Sequence, residues 1–387
     1  MIISRIRFRN WRNFREGEAA MGNRVFLVGP NASGKSNFLD VFRFLRDIVK
    51  PGGGLQHAVE ERGGVSKIRC LAARKDPKIE IEVHLSEERS SAPLWKYAIS
   101  IRQEERGNRR PYLEYEKVWK GDSLIVERPY DEDKKDFERR TQTYLEQINA
   151  NMGFREIARF FDSILYLHLV PQLVRYPKQF SGPGVPGDPF GRSFLERISK
   201  TTEKTRKARL QKIEKALRMA VPQLKELTYM VDTAEGGVPH LQARYDHWRP
   251  NAGLQREVDF SDGTLRLIGL FWTLLERDSV LLMEEPELSL NSEIVQRLPR
   301  LFHQLLSKQK RQIIVSTHSY HLLTDKGVGG EEVLLLVPDK EGTKIVEPAS
   351  RPDIRALLES GCSVADAALP WTRPESLRGE QEELDLS

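Results

Sequence analysis

The chain has 387 residues, with 61 Lys and Arg against 56 Asp and Glu and a formal net charge of +5. Charged residues make up 30% of it, mean hydropathy is −0.51, and the longest apolar stretch, 267–275, falls far short of the roughly 20 residues of a bilayer span, which excludes an integral membrane protein. Two cysteines, Cys70 and Cys362, are too few for a disulfide framework and fit a reducing cytoplasm, and Arg5, Arg7 and Arg9 interrupt any apolar leader, so a soluble cytoplasmic chain is expected.

Ile2, Ser4, Ile6 and Phe8 alternate with Ile3, Arg5, Arg7 and Arg9, the period-two pattern of a strand with one wet face. Residues 24–28 form a short apolar run that predicts a buried strand. The following 36–49 segment carries Phe38, Leu39, Val41, Phe42, Phe44, Leu45 and Ile48 at helical spacing and stops at Pro51 and its three following glycines. Alternating runs at 78–85, 95–102, 113–119 and 123–128 predict antiparallel strands. A helix is expected over 138–161, a strand over 164–174 limited by Pro171, and a loop over 181–191, where Gly and Pro dominate. One or two helices are expected over 194–227 and a strand pair over 229–245. Then α/β alternation returns: helix 264–276, strand 280–283, helix 292–307, strand 312–316. A hairpin over 333–346, a short helix and a disordered acidic tail over 375–385 close the chain. No internal repeat or sustained heptad pattern is present.

Four of these junctions carry chemistry. Gly29, Pro30, Asn31, Ala32, Ser33, Gly34, Lys35 and Ser36 match G-x-x-x-x-G-K-[ST], with the strand before and helix after that the pattern requires. Glycines let successive backbone N–H groups turn inward around phosphate oxygens, the helix points its positive end at them, Lys35 reaches the outer phosphates and the Ser36 hydroxyl can ligate Mg2+. Glu284 and Glu285 follow the apolar strand 280–283, at the edge where ligands gather in parallel α/β sheets. There Glu284 can enter a Mg2+ shell and Glu285 can deprotonate an attacking water; the alternative is a solvated acidic turn. Ser261 and Gly263 stand at a helix start, which reads as a second anion site or as a plain N-cap. His318 follows the last predicted strand at the same kind of edge.

In their fixed order these elements resemble the ABC-class ATPases of the RecF/SMC type: Gly29–Ser36 a Walker A, Ser261–Gly263 an ABC signature, 280–285 a Walker B with its catalytic glutamate, and His318 the switch histidine. The stretch Asn10, Trp11, Arg12, Asn13 and Phe14 is similar to the N-terminal strand of stand-alone bacterial "AAA family" ATPases related to the ATPase domain of the OLD family. The likeness covers most of the chain and is weakest over 120–210. It implies an α/β fold, an ABC-type P-loop ATPase head with a mixed sheet core, an antiparallel β subdomain and a mainly helical insertion. The expected divisions are an N-terminal lobe 1–130, an insertion 131–252, a C-terminal lobe 253–350 and a tail 351–387.

The resemblance also implies ATP and Mg2+ as ligands. Gly29, Asn31, Ser33, Gly34, Lys35, Ser36 and Asn37 would hold the nucleotide, with Ser261 and Gly263 supplied by a second copy in an ATP-sandwich homodimer. Ser36 and Glu284 would hold the metal, and Glu285, His318 and Lys35 would act in hydrolysis. Three departures stand out: Glu284 where most ABC proteins carry Asp, Phe260 where Leu is usual, and only Gln56 in the interval of the Q-loop glutamine. The segment after His318 is too short for the Toprim nuclease fused to OLD-family ATPases, so a separately encoded effector, such as a nuclease, is the expected partner in anti-phage defence or DNA repair. The alternative is a nucleotide-gated scaffold with negligible hydrolysis. Lys200, Lys204, Arg206, Lys207, Arg209, Lys212 and Lys215 read either as a solvated helix face or as a sequence-blind DNA phosphate contact.

Overall fold

The computed structural model describes residues 1–73, 76–107, 109–180, 187–233, 236–247, 253–276, 280–306 and 311–372. The acidic tail 375–385 and the first part of the 181–191 loop lie outside them. The strands, in chain order, are β1 (Ile2–Trp11), β2 (Phe14–Ala20), β3 (Arg24–Val28), β4 (Ile79–Ser86), β5 (Trp95–Gln103), β6 (Pro111–Lys120), β7 (Ser123–Arg128), β8 (Leu165–Leu167), β9 (Leu224–Asp232), β10 (Val238–Tyr245), β11 (Leu254–Arg256), β12 (Leu281–Glu284), β13 (Ile313–Thr317), β14 (Val333–Asp339) and β15 (Gly342–Val346). They belong to two compact units, Met1–Ile164 with Gln312–Ser387, and Leu165–Arg311.

The first unit holds an antiparallel sheet in the order β2-β1-β4-β5-β6-β7. Its alternation is that of the sequence: Ile6 and Phe8 are buried while Arg5 and Arg7 are exposed. Beside it, β3 lies between β13 and β14, parallel to both, and β15 folds back antiparallel on β14. The helix α1 (Lys35–Val49) leaves β3 through the Gly29–Ser36 loop, and all seven of its predicted apolar positions are buried. Phe8 meets Phe14 and Phe38 edge to face, with centroids at 5.3 and 5.8 Å.

Two aspartates of α1 are buried as well, and both are answered by Arg62. Its guanidinium donates to Asp40 Oδ1 and Oδ2 at 2.9 and 3.0 Å and to Asp47 Oδ2 at 2.9 Å. Burial alone would raise the Asp47 pKa, but the charges of Arg46, Arg62 and Lys50 outweigh it and hold the carboxyl below its usual value.

A helix over 138–161 is not what forms. Only Phe137–Thr141, as a 3-10 turn, the 3-10 turn Met152–Phe154 and the helix Arg155–Asp162 are helical. Between them the backbone is captured by carboxylates: Tyr144 and Leu145 donate their N–H to Glu116, and Thr143 donates to Glu146. Arg128 completes the cluster, donating to Glu116 and Asp133 at 3.0 Å and to the carbonyls of Gln142 and Arg139, with its plane 3.8 Å from the Tyr144 centroid. The charged centre of the cluster, Arg128 with Glu116 and Asp133, is buried and paired, so tertiary contacts override local helical pattern.

In the second unit β12 pairs in parallel with β8, and β9, β10 and β11 form a separate antiparallel sheet. The strand expected over 164–174 ends at Leu167, and Pro171 instead opens the short helix Pro171–Arg175, where its missing N–H costs nothing. The basic segment divides into helices Phe194–Ser199 and Glu203–Leu217, and its last residues, from Leu224, enter β9 rather than a helix. An apolar helix, Asp262–Leu274, is buried along most of its length, and the buried Arg311 donates to the last-turn carbonyls of Thr273 and Leu274. No helix among the described residues is long and apolar enough to cross a membrane.

Candidate functional site

The loop between β3 and α1 is shaped by its glycines. A Cβ on Gly29 would lie 2.4 Å from Ser33 Oγ and 2.7 Å from the Leu336 carbonyl, and Gly34 has φ +95°, a left-handed conformation that costs glycine little. Gly29, Ser33, Gly34 and Lys35 are buried, Asn37 is half-buried, and Asn31 and Ser36 are exposed. Lys35 Nζ donates to the Gly29 and Pro30 carbonyls at 3.0 and 3.1 Å, folding its charge over the loop it belongs to.

Residues far away in sequence hold this loop. Asn13 Nδ2 donates to the Ser33 carbonyl at 3.0 Å and to Thr343 Oγ1 at 2.7 Å, Thr343 Oγ1 donates to the same Ser33 carbonyl at 2.9 Å, and Asn37 Nδ2 donates to Asn13 Oδ1 at 2.8 Å. The turns that carry Asn13 and Thr343 are themselves tied, because Thr343 N–H donates to the Asn13 carbonyl at 2.8 Å. Neither residue belongs to the loop motif. Asn13 lies in the stretch that marks the resemblance, but no sequence signal gives it a partner.

His318 is exposed one residue past β13. Because Thr317 pairs with Val28, His318 and Gly29 leave neighbouring parallel strands at the same carboxyl edge. Gln56 does not reach such an edge: its amide donates to the carbonyls of Pro111 and Thr141 at 2.8 and 2.7 Å, a structural tie.

The remaining candidates lie in the second unit. Ser261 is the exposed N-cap of the Asp262–Leu274 helix, its Oγ accepting from the Thr264 N–H at 3.1 Å. Asp262 pairs with Arg175 at 2.6 Å, and Phe260 is buried edge-on to Tyr245 at 6.3 Å, so the Phe that departs from the usual signature fills an aromatic pocket. Gly263 has a packing reason: a Cβ there would lie 2.9 Å from the Ser289 carbonyl. The helix start therefore rests on the turn that follows Glu285. Glu284 is half-buried at the end of β12, and the Tyr166 hydroxyl of β8 donates to its Oε2. Glu285 is half-buried with φ +45°, where the chain turns out of the strand. Tyr166, like Thr343, is a residue that sequence patterning does not single out.

A loop of inward N–H groups at a helix start beside a lysine can cradle phosphates, and carboxylates at a strand end can serve a metal or a water. Residues 24–324 match the model of the family described as "AAA domain, putative AbiEii toxin, Type IV TA system". The chain belongs to this AAA-domain family. No curated protein matches it in sequence. Among solved structures, a crystal structure of "the SmcHead bound to the C-winged helix domain of ScpA" is 14% identical, with 89% of this chain and 98% of that one covered and a TM-score of 0.53. An SMC head domain from Thermotoga maritima is 15% identical over 90% and 99% of the two chains, with a TM-score of 0.46. An Smc head domain with an extended coiled coil bound to the C-terminal domain of ScpA, derived from Pyrococcus furiosus, is 12% identical over 92% and 99%, with a TM-score of 0.49. The first of these shows the fold. This member of the AAA-domain family thus has the fold of an SMC head, with a mixed α/β core and an antiparallel β subdomain.

Proposed function

We propose that the chain binds ATP with Mg2+ between two copies of itself and hydrolyses it to ADP and phosphate. The observation that carries this reading is the preorganised loop: strand, glycine-shaped turn and helix start are in place, with Asn13 and Thr343 fixing the loop backbone before any phosphate arrives. In this reading Gly29, Asn31, Ser33, Gly34, Lys35, Ser36 and Asn37 line the phosphates. Lys35 exchanges the Gly29 and Pro30 carbonyls for phosphate oxygens, a charge-assisted and stronger bond.

The Ser36 hydroxyl and the Glu284 carboxylate are hard oxygen donors of the kind Mg2+ takes, and would be the residues that hold it. When bound, that ion neutralises charge on the phosphates. Glu285 accepts the proton of the attacking water, and His318, beside the loop at the strand edge, contacts the terminal phosphate. Ser261 and Gly263 of the second copy complete the far side of the site through the helix N-terminus.

The family description names a toxin of a type IV toxin–antitoxin system, which supports a setting in bacterial anti-phage defence, with a separately encoded effector such as a nuclease; DNA repair is the other setting for this build. DNA itself would be met by lysines of the Glu203–Leu217 helix. Lys204, Lys207 and Lys215 are exposed there, whereas Arg206 and Arg209 turn inward, 4.0 Å from the Tyr229 centroid and 5.3 Å from that of Trp272.

The test is a pair of variants assayed for nucleotide binding and turnover. Lys35→Ala should lose ATP affinity, while Glu285→Gln should bind ATP as wild type does and turn over more slowly by roughly 10²-fold or more, the scale of a lost catalytic base. Equal turnover in wild type and Glu285→Gln would remove Glu285 as the base. If that shared rate were negligible and ATP still bound, the chain would be a nucleotide-gated scaffold.

A further inference from the structure

Glu284 stands where a shorter carboxylate would need less help. A glutamate has one more rotatable bond than an aspartate, so a carboxylate at the end of a longer arm must be tethered before it can present an oxygen at a set position. The strand pairing supplies a tether. β8 and β12 are parallel, with Tyr166 opposite Leu282 and Leu167 opposite Met283. Side chains at Leu282 and Glu284 share one face of β12, and Tyr166 projects from the same face of β8, so Tyr166 and Glu284 are diagonal neighbours within reach of a long side chain. The Tyr166 hydroxyl closes the remaining gap and donates to Glu284 Oε2. The phenol is only 9% exposed, and its strand is held in register by the Leu165 N–H, which donates to the Val280 carbonyl at 2.9 Å. The donor is therefore fixed by backbone pairing rather than by a mobile loop.

We propose that Tyr166 is a positioning residue for the metal-binding carboxylate of Glu284, an inference that rests on the ATP and Mg2+ reading above. Tyr166 does not touch nucleotide in this account. It selects the rotamer of Glu284, and so sets how tightly Mg2+ is held beside the nucleotide without changing how the phosphates meet the loop. Partners of this kind, one bond removed from the metal, commonly change metal affinity by 10–100-fold when lost. The pairing also gives a physical reason for the longer acid. An aspartate in place of Glu284, shorter by one methylene, would draw its carboxylate back from the phenol.

The experiment is a metal titration on the full chain. Mn2+ is added to protein holding a non-hydrolysable ATP analogue, free Mn2+ is read by its electron paramagnetic resonance signal, and analogue binding is measured separately in EDTA. Tyr166→Phe keeps the ring and removes only the hydroxyl. It should weaken Mn2+ binding by about tenfold or more and leave analogue binding in EDTA unchanged. In the Glu284→Asp background the same substitution should have no further effect on Mn2+, because the hydrogen bond is already absent. Wild-type Mn2+ affinity in Tyr166→Phe would overturn the proposal, and so would an undiminished Tyr166→Phe effect in the Glu284→Asp background, since that would mean a role exercised through packing. Should wild type itself bind no analogue either in EDTA or with saturating Mn2+, the ATP reading fails first, and the two failures stay distinct.

Discussion

At Asn13 one side-chain amide serves three partners, donating to the Ser33 carbonyl and Thr343 Oγ1 and accepting from Asn37. Each such bond contributes on the order of 1 kcal/mol net, and here all three converge on the segment that must not move when phosphate binds. Asn13→Ala should therefore weaken ATP binding by about tenfold, measured by titration, and lower the thermal midpoint by several degrees, since the same bonds also stabilise the fold. Unchanged affinity would show that the loop holds its shape without the clamp. The contiguous loop residues were legible in the sequence because strand, turn chemistry and helix lie side by side in one short segment. The clamp was not, since Asn13 and Thr343 meet only through the fold. Tyr166 was hidden in the same way, because its partner Glu284 sits on a strand that the chain reaches only after an intervening sheet.

Among the elements, the buried ion cluster behind β6 and β7 makes the chain's acid response specific. Burial would raise the Asp133 pKa, but hydrogen bonds from Arg128, the Tyr130 N–H and Arg139 outweigh it and bring the carboxyl from 3.8 down to about 2. A depressed carboxyl contributes stability above its unfolded pKa and loses it as pH falls through the folded one. The contribution is thus present above pH 3.8 and disappears on approach to pH 2, a difference of about 2 kcal/mol. Glu116 in the same cluster moves the other way. Burial is its largest influence and holds its pKa above 4.5, so it takes up its proton first, and its effect on stability is complete by about pH 4.5, before that loss begins.

Asp133→Asn should flatten the fall in unfolding free energy between pH 4 and pH 2, whereas Glu116→Gln should leave that fall unchanged and act only above pH 4.5, where it removes a gain in stability that accrues as pH falls towards 4.5. Identical pH profiles in both variants would contradict the assignment. This cluster also explains why the helix expected over 138–161 does not form. The periodicity is real, but buried carboxylates claim the backbone N–H groups that a helix would have used. Strand β4, by contrast, follows its alternation over most of its length, whereas β5 is buried on both faces from Tyr97 to Ile101.

The lysine face of the Glu203–Leu217 helix has its own test. Lys204, Lys207 and Lys215 recur at three- and four-residue multiples and so share a side, while Arg206 and Arg209 are spent on aromatic faces and carbonyls of their own unit. Charge reversal at the three lysines should flatten the log–log salt dependence of duplex DNA binding by about 0.9 for each phosphate no longer neutralised. An unchanged slope would return this face to a solvated surface.

For the whole molecule, the chain leaves its first unit after Ile164 and returns to it at Gln312, and that return places His318 beside the phosphate loop through the pairing of Thr317 with Val28. Glu284, Glu285 and the helix start at Ser261 all belong to the intervening unit. Gly263 and the Ser289 carbonyl hold those two features against each other, so they would respond to nucleotide as one body. ADP lacks the terminal phosphate that Ser261 would grip, so closure of two copies should follow ATP and relax after hydrolysis. Light scattering on Glu285→Gln, with and without ATP, tests this most directly. The mass should double only with ATP, and adding Ser261→Arg should abolish the doubling while ATP binding persists. An ATP-dependent dimer that survives Ser261→Arg, or an ATP-saturated chain that stays single, would contradict it.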